Sequence, residues 1–308
     1  MVKDVNLNNK KCQIFILFGQ SNAVGHGIPM LEKDKIKTPL KNVFGLHRKY
    51  NQSFDIKKLT WSGYTSSGMN LAEEQDDTYS VANCLATLWQ KEIDDGKDLP
   101  DLYIVQIAIG AQGVSEQYLS NGETKKYMWN PDYEKKLVAG KLGTVDISLY
   151  PFSLHILSLL DDSFKAIGKE YEIMNLLWRG GENDVETPVE NLKGRLKGIY
   201  EEMFSGFYKA IGYEIPITLN KIVCHECFTN DYPSGEPIKS LNYINEIFNE
   251  LAKENDNISV FDTCKAPFYK ENESGNGLFI DDLIHYTPET NRWNAEEIIK
   301  KYIKSLCH

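Results

Sequence analysis

Apolar runs of strand length alternate with amphipathic stretches of helical length along this chain. The runs fall at residues 12–18, 101–109, 172–178, 215–224 and 258–263. Their apolar character is nearly continuous, as in Ile14-Phe15-Ile16-Leu17-Phe18, which is the pattern of strands buried on both faces. Such strands with helices between them predict an α/β protein with a central parallel sheet. Helices are expected at 78–93, 151–169, 188–211, 241–254 and 288–305.

Two helix starts are marked by their chemistry. Thr187-Pro188-Val189-Glu190 has the spacing of a capping box with proline at the first helical position. Leu192, Leu196, Ile199 and Met203 then share one helical face. Thr287-Pro288-Glu289 is a second such start, followed by the stripe Ala295, Ile298, Ile299, Tyr302 and Ile303. Two segments carry little pattern. Residues 26–77 contain only short candidate strands near 43–47 and 55–61, and residues 111–150 are interrupted by Gly113, Gly122, Asn130-Pro131, Gly140 and Gly143. Both are expected to be long excursions from the top of the sheet, where walls and lids of sites are found. With no repeat, linker or low-complexity tract, residues 1–308 are expected to form one domain.

The composition is that of a soluble globular chain: 42% hydrophobic, 25% charged and 11% aromatic over 308 residues. Thirty-four basic against 44 acidic residues leave a formal charge of −10, which argues against nucleic acid and anionic membranes as partners. No apolar stretch reaches the roughly 20 residues of a bilayer span, and the N-terminus lacks a signal-like apolar core. A cytoplasmic protein, or a secreted one whose signal is already removed, is expected; the oligomeric state is not legible. The six cysteines are scattered, so Cys224-His225-Glu226-Cys227, with no second ligand pair, reads as structural thiols rather than a metal site.

The chemistry gathers where strands should end. Gly19-Gln20-Ser21-Asn22 follows the first apolar run and offers a serine at the tip of a tight turn. Serine is a weak nucleophile until a base and an oxyanion site surround it. Gly110-Ala111-Gln112-Gly113 follows the second run, where glycine permits close approach of a backbone N–H. Trp178-Arg179-Gly180-Gly181-Glu182-Asn183-Asp184 follows the third, and the Asn183 amide can donate into the same crevice. Asp282-Leu283-Ile284-His285 precedes the last helix, and an aspartate three residues before a histidine can fold back onto its Nδ1–H. Ser21 as nucleophile, His285 as base and the N–H groups of Ser21 and Gly110 with Asn183 as oxyanion donors complete an acyl-transfer site.

In this order the four blocks resemble the SGNH (GDSL-like) hydrolase superfamily. Gln20-Ser21-Asn22 together with Trp178-x-x-Gly181-Glu182-Asn183-Asp184 is similar to the carbohydrate esterase family 6 and sialate O-acetylesterase group. The resemblance spans residues 19 to 285. It implies a flavodoxin-like three-layer αβα sandwich with a central parallel sheet. It also implies removal of acetyl groups from carbohydrates, xylan-type or sialic acid, with no metal or cofactor. Ser21, His285, Asp282, Gly110 and Asn183 match the family's catalytic positions. The chain departs from the pattern at Gly180, where the group has glutamine, and in the second block, so Gly110, Ala111 or Gly113 can be the N–H donor.

Asp282 is favoured over Asp281 as the orienting acid by its spacing, with Glu182 a competitor from the third block. Gln20, Gln112, Glu182, Trp129 and Arg179 are candidate substrate contacts, Arg179 suited to a sialic acid carboxylate and Trp129, like Trp61, to a sugar face. His26 is a candidate pocket lining. The alternatives are a lipase or thioesterase of the same superfamily and a non-catalytic carbohydrate-binding protein.

Overall fold

The eight residues Cys12–Gly19 (β1) are all buried, and the fold is arranged around them. The structure, a computed structural model, describes residues 11–28, 30–51, 58–73, 78–118, 124–133, 148–226, 235–271 and 273–305. Ile14, Ile16 and Phe18 point into one apolar core, and Phe15 and Leu17 into another on the opposite side of the sheet. This twofold alternation is why an apolar run without polar interruption was needed.

β1 pairs in parallel with Leu102–Ala108 (β4) on one side and Tyr171–Arg179 (β7) on the other. Beyond β4 lie Val43–Leu46 (β2) and Trp61–Gly63 (β3); beyond β7 lie Ile217–Asn220 (β8) and Ile258–Phe261 (β9). The seven-stranded order is therefore β3-β2-β4-β1-β7-β8-β9, parallel except for the antiparallel β2–β3 pair. A second, two-stranded sheet joins Glu116–Tyr118 (β5) and Thr124–Lys126 (β6).

One core holds Leu149–Ser158 (α3), Leu160–Ala166 (α4), Leu196–Ile211 (α6) and Glu236–Glu254 (α7) against the sheet. The other holds Val81–Asp94 (α2) and Pro288–Ser305 (α8). Two short helical turns, Ser21–Val24 (α1) and Val189–Leu192 (α5), complete the α-helices among the described residues. The αβα layering expected from the sequence is present, and the chain leaves β1 in both directions. That makes the carboxyl end of β1 a switch point between the loops after β4 and β7, the place where α/β sheets carry their sites.

Several expectations shift. The helix expected at 188–211 breaks between α5 and α6 at Gly194, whose φ is +73°. The Thr187 capping box does not form: the Thr187 hydroxyl accepts no N–H from the helix start, and its proton goes to Glu116 O at 2.9 Å. At the second start Thr287 Oγ1 does accept from Thr290 N, at 3.1 Å. Residues 26–77 are more than an excursion: they supply β2 and β3, the edge of the main sheet. The candidate strand at 55–61 is displaced: residues 58–60 are not strand, β3 runs over 61–63, and 52–57 lie outside the described residues.

β1 and β7 approach closely at Gly19. An alanine methyl there would lie 1.9 Å from Arg179 O, and φ is +149°. Gly19→Ala should therefore lose about 3 kcal/mol of stability from backbone strain and overpacking. A urea unfolding midpoint equal to wild type would contradict this.

Candidate active site

The turn after β1 is held from beneath. Gln20 N donates to Arg179 O at 3.0 Å, and Gly19 O accepts from Trp129 Nε1 at 3.0 Å. Ser21 then opens the single helical turn α1, with its own carbonyl accepting from Gly25 N and His26 N. The Ser21 side chain makes no hydrogen bond among the described residues, and the residue keeps 7% of its surface exposed. A hydroxyl left uncommitted in a well-bonded turn is suited to attack.

Asn22 joins this turn to the loop before α8. Its Nδ2 donates to Ile284 O at 3.3 Å and to Glu182 Oε1 at 3.0 Å. Its Oδ1 accepts from Tyr286 N at 3.2 Å. The residues flanking His285 are thus fastened to the neighbour of Ser21, across more than 260 positions of sequence. Ser21 and His285 themselves share no hydrogen bond among the described residues.

The Asp282–His285 loop is built as its spacing suggested. Asp282 Oδ1 accepts from Ile284 N and His285 N, both at 2.9 Å, with Leu283 at φ +60° closing the turn. Asp282 Oδ2 lies 2.6 Å from His285 Nδ1. With the proton on Nδ1, Nε2 is left as the acceptor for a hydroxyl proton. Burial pushes the Asp282 carboxyl up, but the bonds from the His285 N–H and ring and from Ile284 N outweigh it and hold it below the ordinary value. Glu182, the competing acid, bonds Asn22 rather than the histidine, and Asp281 makes no hydrogen bond among the described residues.

The loop after β7 brings Asn183 beside the serine turn, its N–H directed to Gln20 Oε1 at 3.4 Å. The Asn183 side-chain amide is uncommitted among the described residues. Asp184, fully buried, clamps the loop after β4. It accepts from Val114 N at 3.0 Å, and from Ser115 N at 2.7 Å and Ser115 Oγ. Gly113 abuts that carboxylate, since an added methyl would sit 2.5 Å from Asp184 Oδ1. Burial pushes the Asp184 carboxyl up to about 6, against the pull of these donors.

Other expected site residues are elsewhere engaged. The Gly110 N–H donates to Glu73 Oε2 at 2.8 Å, so it is not free to hold an oxyanion in this state; the N–H groups of Ala111 and Gly113 make no hydrogen bond among the described residues. Arg179 is fully buried beneath the turn. Its Nη1 donates to Asn291 Oδ1 at 2.6 Å and Asn22 O at 3.3 Å, and its guanidinium lies 4.4 Å over the Tyr286 ring. It therefore braces the turn and cannot meet a sialic acid carboxylate. Trp129 is likewise wholly buried, packed on Phe18 and Trp178, and offers no face to a sugar. Trp61 is half-buried and packs on Tyr103 and Phe164 at the edge of the core. Gln20 is buried, and Gln112 Oε1 accepts from Met128 N at 3.2 Å, so both act as struts.

Glu73 and the bridging role of Asn22 had no local signal in the sequence. His225 was equally silent: it is buried against Phe279, and burial pushes its pKa down to about 4, leaving a neutral ring behind the Asp282–His285 loop. Cys224 is an exposed free thiol, while Cys227 lies outside the described residues. No helix among the described residues is long and apolar enough to cross a membrane.

No protein-family model matches the sequence, and no curated protein matches it. Solved structures do. A protein from Arabidopsis thaliana aligns with TM-score 0.58 at 15% identity, over 96% of this chain and 99% of its own. NanS aligns with TM-score 0.56 at 12% identity, over 96% and 99%. Est24, a carbohydrate acetylesterase from Sinorhizobium meliloti, aligns with TM-score 0.46 at 11% identity, over 95% and 99%. At these identities the likeness is one of fold.

Two outcomes follow from the buried clamps. Between the unfolded value of about 3.9 and a folded value of about 6, the folded chain keeps a proton on Asp184 that the unfolded chain releases. The contribution of this group to stability is therefore complete at low pH and falls as pH rises through that window. Asp184→Asn should remove this share of the slope in urea unfolding between pH 4 and 6; an unaltered slope would refute it. Asn22→Ala strands the Tyr286 N–H and should cost about 2 kcal/mol, measured by thermal unfolding.

Proposed function

We propose that this protein is a serine esterase that removes O-acetyl groups from carbohydrates. The observation that carries the reading is the Asn22 bridge, which holds the backbone on both sides of His285 against the Ser21 turn while Asp282 orients the imidazole. In this reading Ser21 Oγ attacks the ester carbonyl carbon as His285 Nε2 takes its proton. The tetrahedral oxyanion is met by the Ser21 N–H and the Asn183 amide, each worth roughly 3 kcal/mol in such sites. Collapse passes the proton from His285 to the leaving sugar oxygen. Water, deprotonated by the same ring, then attacks the acetyl-serine and releases acetate. Asp282 keeps the ring in the required tautomer and stabilises its transient positive charge.

The carbohydrate half of the proposal stands on the motif likeness of Gln20-Ser21-Asn22 and the Glu182-Asn183-Asp184 block. Because Arg179 is buried, recognition of a sialic acid carboxylate would need another cation, and neutral acetylated sugars such as xylo-oligosaccharides are the favoured class.

Ser21→Ala should lower aryl acetate turnover at least about 10³-fold with the fold intact, checked by steady-state hydrolysis beside circular dichroism. Full activity in that variant would end the proposal. Asp282→Asn should cost roughly 10³-fold or more in kcat, and Glu182→Gln far less. The reverse ranking would reassign the orienting acid.

A further inference from the structure

A second histidine–carboxylate pair stands beside the first. His26 Nε2 lies 2.9 Å from Glu73 Oε1, and the two side chains are 24% and 25% exposed. The other Glu73 oxygen caps the Gly110 N–H at 2.8 Å. The His26 ring meets the His285 ring edge to face, with centroids 5.8 Å apart. It also lies flush on Gly110, where an added methyl would stand 2.4 Å from His26 Cε1. The next residue, Gly27, passes against the catalytic loop: a methyl there would be 3.0 Å from Asp282 Oδ2 and 3.2 Å from His285 Nδ1. His26 is thus wedged between the proposed base and the end of β4, in a space that a side chain at position 110 would close.

This wedge bears on how an ester can lie. Ser21 follows the central strand β1, with β4 on one side and β7 on the other. On the β4 side the Gly110 N–H is committed to Glu73, and the Ala111 N–H, uncommitted among the described residues, is not a donor in the proposed reaction. On the β7 side the Asn183 amide is uncommitted. An oxyanion bound at Ser21 and Asn183 points towards β7. With the leaving oxygen at His285, the remaining substituent on the carbonyl carbon is the acyl group, and it is directed towards β4, where His26 stands.

We propose that His26, braced by Glu73 across Gly110, is the wall that limits the acyl group of the substrate to acetyl. This rests on the esterase reading above and adds to it the residue that sets acyl length. A carboxylate and a histidine anchored to backbone resist displacement better than an aliphatic wall would, so added methylenes meet a fixed surface. One methylene is commonly discriminated by about tenfold or more in such pockets.

The test is the hydrolysis of p-nitrophenyl acetate, butyrate and hexanoate by wild type, His26→Ala and Glu73→Gln, with unfolding midpoints measured alongside. Wild type should prefer acetate. The acetate-to-butyrate ratio of kcat/KM should fall at least about tenfold in His26→Ala, and in the same direction but less in Glu73→Gln, where the brace is weakened and the ring remains. A merely structural role would lower all three esters together and leave the ratio unchanged; that result overturns the inference while the esterase reading stands, whereas a wild type that prefers butyrate overturns the inference and the acetyl part of the esterase reading with it. A wild type inert towards all three esters overturns both. Should His26→Ala fail to fold, Glu73→Gln decides by the same ratio.

Discussion

One buried amide holds the candidate site together. Asn22 uses both N–H bonds and its oxygen to tie the turn after β1 to Glu182 beyond β7 and to Ile284 and Tyr286 around His285. A buried amide is tolerated only when its polar atoms are bonded, and here the partners come from three distant stretches of chain. Satisfying Asn22 and assembling the site are therefore one event. The nucleophile turn, the third block and the base loop have few other geometries that keep both polar atoms of the Asn22 amide bonded.

Arg179 supports this arrangement from below. A guanidinium buried this deeply needs compensation, since desolvation strongly disfavours its charge. Compensation comes from Asn291, the carbonyl of Asn22, the face of Tyr286 and the nearby Glu182 carboxylate. Asn291 in turn donates to Tyr79 O, linking α8 to the segment before α2. The cation thus fixes the height of the serine turn above the sheet. A residue that resembled a substrate clamp is part of the foundation, while at the rim His26 and Glu73 stay partly exposed.

Much was legible without coordinates because it is local. The continuous apolar runs demanded strands covered on both faces, and β1, β4 and β7 lie where they indicated. The Asp282-x-x-His285 spacing encodes a turn whose bonds run within four residues, so the dyad was visible in sequence. Short edge strands were harder: β2 and β3 have three or four residues each and are stabilised by the neighbouring strand rather than by their own pattern. Thr187 shows the same limit, since its capping signal was intact but a better partner, Glu116 O, arrived through tertiary packing.

What the chain determined by itself was the set of elements and the dyad, because periodicity and short-range hydrogen bonding act between residues close in sequence. What only the tertiary structure decided was occupancy. Arg179 and Trp129 went to the interior and Glu73 came to Gly110, while Asn22 became the bridge rather than a turn residue. Those outcomes depend on which groups remain unbonded once the sheet and its helices have closed, and no stretch of sequence carries that information alone.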